Sequence, residues 1–291
     1  MTSVPGSSQT STSSADHAAS GPGAGATCYR FETPHPLDVW VRNQSGTVEI
    51  TAADVTETSV EVVPNDAKGT DLAERTRVQL SEDARRLRID VPDRKMLRQP
   101  ALEIIVTVPT GSSIDVETAT AEVSTRGILD SATVTTASAD VSLSHVGGPL
   151  EVTTASGDIH IGRGAGPVQV RTASGDLRLD VSEIEASVQT ASGDVMIGRL
   201  SGDLTARSAS GDVIISSAGG GSVQAKTMSG DVVIGVARGL LLWLDVNSLS
   251  GDVASQLGPG ESNADGDADR EPDLRISAST MSGDVLLRHG R

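Results

Sequence analysis

From Ile114 onward the chain repeats one phrase of apolar and polar positions. Two aliphatic residues stand two apart, a short polar turn follows, and two more aliphatic residues stand two apart beyond it. The turn is Ser-Gly-Asp in most copies, and its acidic residue serves as position zero. Asp158, Asp176, Asp194 and Asp212 are eighteen residues apart; Asp231, Asp252 and Asp284 follow at intervals of nineteen, twenty-one and thirty-two. Asp140 and Glu122 carry the eighteen-residue step backward, giving nine units. Position −8 holds Ile114, Leu150, Val168, Ala186, Leu204, Val223, Leu244 and Ile276, with Ala132 in the Asp140 unit. Position −6 is Val or Ala throughout, position −4 is Thr or Ser from Thr118 to Thr280, and position +1 is always aliphatic. Position +3 is mostly Leu or Ile, and the residues between are mostly polar on the first arm, such as Glu151, Gln169, Arg171 and Lys226.

Period-two alternation on both sides of a turn predicts strand, corner, strand in every unit. One unit cannot bury its own apolar face, but stacked units can, with like positions about 4.8 Å apart. The predicted fold is all-β: a β-solenoid with about eighteen residues per coil, in which nine coils would make a rod on the order of 40 Å long. The extra residues after Ile234 and Val253 fall between one unit's second strand and the next unit's first. The longest insertion, 258–273, is acidic and rich in Gly and Pro and reads as a loop. The register resumes at Ile276, so stacking in chain order is expected throughout.

The template also fits Val39 to Ile50, where Val39 and Val41 precede Ser45-Gly46-Thr47 and Val48 and Ile50 follow. Residues 28–112 therefore read as a divergent module of N-terminal β coils, and 113–291 as the repeat solenoid. Strands are predicted at 59–63, 77–80, 86–91 and 102–108, and the one candidate helix lies within DLAERTRVQLSEDARR. Residues 1–27 are Ser, Thr, Gly and Ala with little to bury, and read as a disordered tail.

Composition narrows the function. Only Tyr29, Phe31, Trp40 and Trp243 are aromatic, so the core is built from Val, Ile, Leu and Ala. A formal charge of −16 repels phosphate backbones and argues against nucleic acid. A single cysteine, Cys28, permits no intrachain disulfide and fits a reducing compartment. The start carries no signal-like pattern, and the longest apolar run, Gly239 to Leu244, is too short to span a bilayer. A cytoplasmic location is expected, with display at the cell surface by a non-standard route as the alternative.

The repeated TASGDV units, after a VxVxNxSGxVxI strand pair, resemble the bacterial beta-strand-repeat family of unknown function catalogued as "putative adhesin"; the likeness covers roughly residues 38 to 290. It implies a right-handed β-helix-like solenoid with no known enzymatic activity, and some relatives are tied to the cell envelope and its stress responses.

The triplet reads as a corner: Gly157, Gly175, Gly193, Gly211 and Gly230 supply positive φ, and Asp158, Asp176, Asp194, Asp212 and Asp231 bond nearby amides. Stacked carboxylates about 5 Å apart would cost about 0.8 kcal/mol per pair in water, which something must offset. Calcium β-rolls need a glycine run that is absent here, and hexapeptide left-handed helices need a different aliphatic phase. The histidines share no repeat position, and no nucleophile motif, phosphate loop or metal-ligand cluster appears, so no enzyme, cofactor or metal site is expected. One outward row departs from polarity. Position +2 begins with His160 and Arg178, then turns apolar at Met196, Ile214, Val233, Ala254 and Leu286. This row is the candidate face for a protein partner or a second copy.

Overall fold

The structure, a computed structural model, describes residues 26–66, 69–93, 100–258 and 271–290. The residues read as a tail, up to 25, and 259–270 of the insertion lie outside the described residues. The N-terminal part runs β1 (Thr27–Glu32), β2 (Asp38–Asn43), β3 (Gly46–Ala53), β4 (Glu57–Pro64), α1 (Gly69–Arg75), β5 (Arg77–Leu80), β6 (Arg86–Asp90) and β7 (Leu102–Pro109). The repeats begin with β8 (Ser113–Thr118), β9 (Glu122–Arg126), β10 (Ile128–Leu129), β11 (Ala132–Thr135), β12 (Val141–Val146), β13 (Leu150–Thr154), β14 (Ile159–Gly164), β15 (Val168–Ser174) and β16 (Leu177–Ser182). They continue with β17 (Glu185–Ser192), β18 (Val195–Leu200), β19 (Asp203–Arg207), β20 (Val213–Ala218), β21 (Gly221–Ser229) and β22 (Val232–Val236). The last four strands are β23 (Leu242–Ser250), β24 (Val253–Ser255), β25 (Leu274–Ser282) and β26 (Val285–His289).

The two arms of each unit build two sheets. First arms pair in parallel, as in Leu150 with Val168 and Val152 with Val170; second arms do the same, as in Ile159 with Leu177. Identical positions therefore lie side by side, and the rows at −8, −6, +1 and +3 close a continuous apolar interior between the sheets. A further inward row, at +6, was not evident from the repeat: Val146, Gly164, Ser182, Leu200 and Ala218 are buried but chemically mixed. Most threonines at −4 are buried too, and some of them satisfy the corner. Thr154 Oγ1 donates to the Ser156 carbonyl at 2.8 Å, and Thr172 Oγ1 to that of Ser174 at 3.0 Å.

The expectation of stacking in chain order fails at the C-terminal end. The first-arm sheet runs β21, β25, β23, and the second-arm sheet β22, β26, β24. The chain skips one slot, lays β23 and β24 outermost, and returns to fill the slot with β25 and β26. Every unit carries the same inward rows, so the repeat does not encode which coil lies beside which. Leu244, Val246 and Val253, predicted as interior, form the last rung; Leu244 is 43% and Val253 51% exposed because no coil among the described residues covers them.

The N-terminal end is interleaved as well. The β2–β3 coil lies between β6–β7 on its outer side and β8–β9 on its inner side. Beyond it, β4 runs antiparallel to β7, β1 antiparallel to β4, and β5 antiparallel to β6. Helix α1 falls within the predicted helical stretch and turns Leu72 and Ala73 into the core.

Candidate functional site

The Ser-Gly-Asp corner needs glycine for two reasons. Gly193 has φ 137°, and a Cβ there would collide with the carbonyl oxygen of Gly175 in the coil below, as one on Gly175 would with that of Gly157. The carboxylates are answered by backbone. Asp176 N donates to Asp158 Oδ1 at 2.9 Å, Asp194 N to Asp176 Oδ1 at 2.9 Å, and Asp212 N to Asp194 Oδ1 at 2.9 Å. The ladder starts at Asp140 and continues from Asp212 to Asp231, Asp284 and finally Asp252, following the spatial order of the coils. Each charged acceptor gains an amide donor from the next coil, and a charge-assisted bond of that kind, about 1.5–3 kcal/mol, exceeds the roughly 0.8 kcal/mol of repulsion per pair. The corner thus bonds each coil to the next at Asp158, Asp176, Asp194, Asp212 and Asp231.

The +2 row lies on the outer face of the second-arm sheet. Parallel pairing sets Met196 beside Ile214, Ile214 beside Val233, Val233 beside Leu286, and Leu286 beside Ala254. Met196 and Ala254 are exposed, and the three between them are half-buried. The polar start of the row is held differently: His160 Nε2 lies 3.0 Å from Asp180 Oδ2, and Arg178 Nε donates to Asp180 Oδ1 at 2.8 Å. The His160 bond holds the Asp180 carboxyl below the usual range, against the opposing effect of burial and with help from Arg178.

A second outward row escaped the sequence reading. Position −3 is Ala155, Ala173, Ala191 and Ala209, then Met228, Met281 and Leu249 in spatial order. Its growth toward the open end is visible in the repeat once −3 is tabulated; Leu249 is 77% exposed.

A concavity of about 1160 Å³ lies on the first-arm sheet near the N-terminal end, where Trp40, Arg88, Asp115, Ser131 and Thr133 line it. Trp40 and Arg88 are distant in sequence but pair across β2 and β6, and the guanidinium carbon stands 4.0 Å over the indole. Burial, with the nearby Glu117 charge, raises the Asp115 carboxyl above its usual range. No described lining residue is His, Cys or Lys. One face of Trp40 is already covered by Arg88. Among the described residues no cluster of three or more His, Cys, Asp or Glu is placed to hold a metal, and no helix is long and apolar enough to cross a membrane.

These features define a parallel two-sheet β-solenoid whose coils turn at glycine-aspartate corners and whose outer faces carry apolar rows. The chain belongs to the Toastrack DUF4097 family, whose model matches residues 38–288. Among solved structures it is similar to a "putative adhesin" from Bacteroides fragilis, at 14% identity and TM-score 0.45, covering 91% of this chain and 98% of that one. It is also similar to a "putative lipid binding protein" from Parabacteroides distasonis, at 13% identity and TM-score 0.49, covering 91% and 97% of the two chains. A "putative cell adhesion protein" from Clostridium sporogenes matches at 9% identity and TM-score 0.29, covering 91% and 99%. No curated protein matches the chain.

Proposed function

We propose that the protein is a noncatalytic interaction module of the adhesin-like type, which holds a protein partner against the +2 row of its second-arm sheet. The observation that carries this reading is the continuity of that row. Met196, Ile214, Val233, Leu286 and Ala254 come from five different units and stand side by side through four successive pairings. An outward apolar ladder of that length on an otherwise charged chain is the kind of surface that marks a contact site. The coil's right-handed sense belongs to the same reading and follows the general preference of parallel crossovers. So do a cytoplasmic location and a link to the envelope; the runner-up, a surface or secreted adhesin, is separated from it by cell fractionation.

The test is a double substitution, Ile214→Lys with Val233→Lys. Both side chains point outward, so the fold tolerates lysine while the row is interrupted at its centre. Cross-linking in the native cell should lose its partner band in the double variant and keep it in a variant altered at the exposed Ile184. A band that survives the double substitution removes the row as the contact face.

A further inference from the structure

We propose that the open C-terminal end of the solenoid is a self-association edge: a second copy of this chain docks end to end, β23 against β23, about a two-fold axis perpendicular to the sheets. Three observations meet there.

The first is exposure. Of the ten large hydrophobic residues exposed among the described residues, five lie in the last coil and its approach: Leu241, Trp243, Leu244, Leu249 and Val253. The second is the backbone. In earlier coils the amides of inward-facing residues reach the next coil, as Leu150 N does to the Pro167 carbonyl and Val141 N to that of Asp158. By that register the amides of Leu244, Val246, Ser248, Val253 and Ser255 point to where a further coil would lie, and none follows among the described residues. A nine-residue edge strand with one side unpaired is a template for another strand. The third is the opposite end, whose edge strands β1 and β5 are six and four residues long and run antiparallel to their neighbours, so neither matches the nine-residue edge of β23. Head-to-tail growth therefore meets no matching edge, and a head-to-head pair closes at two.

The residues of β23 suit antiparallel self-pairing centred on Val246. Counting outward from that centre, Trp243 meets Leu249 of the other copy, and Asp245 meets Asn247, so apolar groups pair and no like charges oppose. Inward, Val246 meets Val246, and Leu244 meets Ser248. A nine-residue strand is about 30 Å long and the sheets are about 10 Å apart. With the outer side chains, the end face covers roughly 600 Å² per copy, at the lower edge of stable interfaces. A reversible, micromolar dimer is the expectation.

Sedimentation equilibrium of the full chain, from low-micromolar to near-millimolar concentration, tests this. The mass should rise from one chain to two and stop. Leu244→Lys with Val253→Lys should weaken association on the order of 100-fold by placing like charges on both edges, and Trp243→Ala about 10-fold. Ile214→Lys with Val233→Lys should leave the dimer unchanged, which separates this edge from the +2 row. Thermal melts of the dilute variants check folding, and hydrogen exchange at the Val246 amide should slow as wild-type protein is concentrated. A single chain at every concentration overturns the proposal; if the Val246 amide is then also protected at all concentrations, the cover is a segment of the same chain. Growth beyond two, or a dimer indifferent to the Leu244 and Val253 substitutions, overturns it equally.

Discussion

At the N-terminal end the interior rows stop against a lid. Leu87 and Ile89 on β6 and Leu102 to Val108 on β7 form the last parallel coil; antiparallel strands and Leu72 of α1 close over it, and all of these core residues are buried. At the C-terminal end the same rows stop at Leu244, Val246 and Val253, with no further coil among the described residues. The residue types at the two ends are alike, so exposure here is set by place in the stack and not by chemistry. Both ends nonetheless share one device. The outermost parallel coil, β6–β7 at one end and β23–β24 at the other, is followed in the chain by a coil that sits further in. At the C-terminal end that coil is also preceded by an inner one, and a tether on both sides opposes the fraying expected of a terminal repeat.

The largest effect expected from this contrast comes from placing one charge at either end. Leu72→Lys puts an ammonium into a site that is 1% exposed and has no acidic partner built for it, which should cost about 3–5 kcal/mol of unfolding free energy. Leu244→Lys makes the same chemical change at the open end and should shift the dilute monomer by no more than about 0.5 kcal/mol. Denaturant titrations of both variants at low concentration measure the difference. Equal losses would mean that the C-terminal end is covered in the isolated chain.

A smaller effect is expected along the aspartate ladder. Asp194 accepts the Asp212 amide, whereas no coil lies beyond Asp252 to offer one. Asp194→Ala strands an amide and should cost about 1 kcal/mol net of relieved repulsion; Asp194→Asn keeps an acceptor without the charge and should cost less. Asp252→Ala should be silent in stability. Melting the three variants side by side checks the order, and a costly Asp252→Ala would show that the end rung is engaged.

Much of this was legible in the repeat. Alternation fixed which residues of each unit face inward, and Ser-Gly-Asp marked the corner, because both depend on local geometry that identical units share. The order of the coils did not show: the intervals of twenty-one and thirty-two residues read as insertions, while the Asp231–Asp284–Asp252 order of the ladder depends on which identical row pairs with which. The +6 row was hidden by its mixture of Val, Gly, Ser, Leu and Ala. The groove at Trp40 was hidden because its partner Arg88 arrives from a strand forty-eight residues away.

The smallest effect asks whether place in the stack also decides the worth of a residue far from either end. Thr154 and Thr190 occupy the same inward row at −4, two coils apart. Thr154 Oγ1 reaches the Ser156 carbonyl at 2.8 Å, while Thr190 Oγ1 is buried without a partner. Valine has nearly the shape of threonine, so the substitution isolates the hydroxyl. Thr154→Val should lose about 1 kcal/mol, because it removes a made hydrogen bond to the Ser156 carbonyl, which then keeps only the Ala139 amide at 3.2 Å. Thr190→Val removes only an unpaid desolvation and should be neutral or stabilising by up to about 1 kcal/mol. Opposite signs in the two melting shifts would establish that one residue type in one row contributes differently from coil to coil, as Leu72 and Leu244 do between the ends; equal losses would assign Thr190 a partner in solution and restore the row's uniformity.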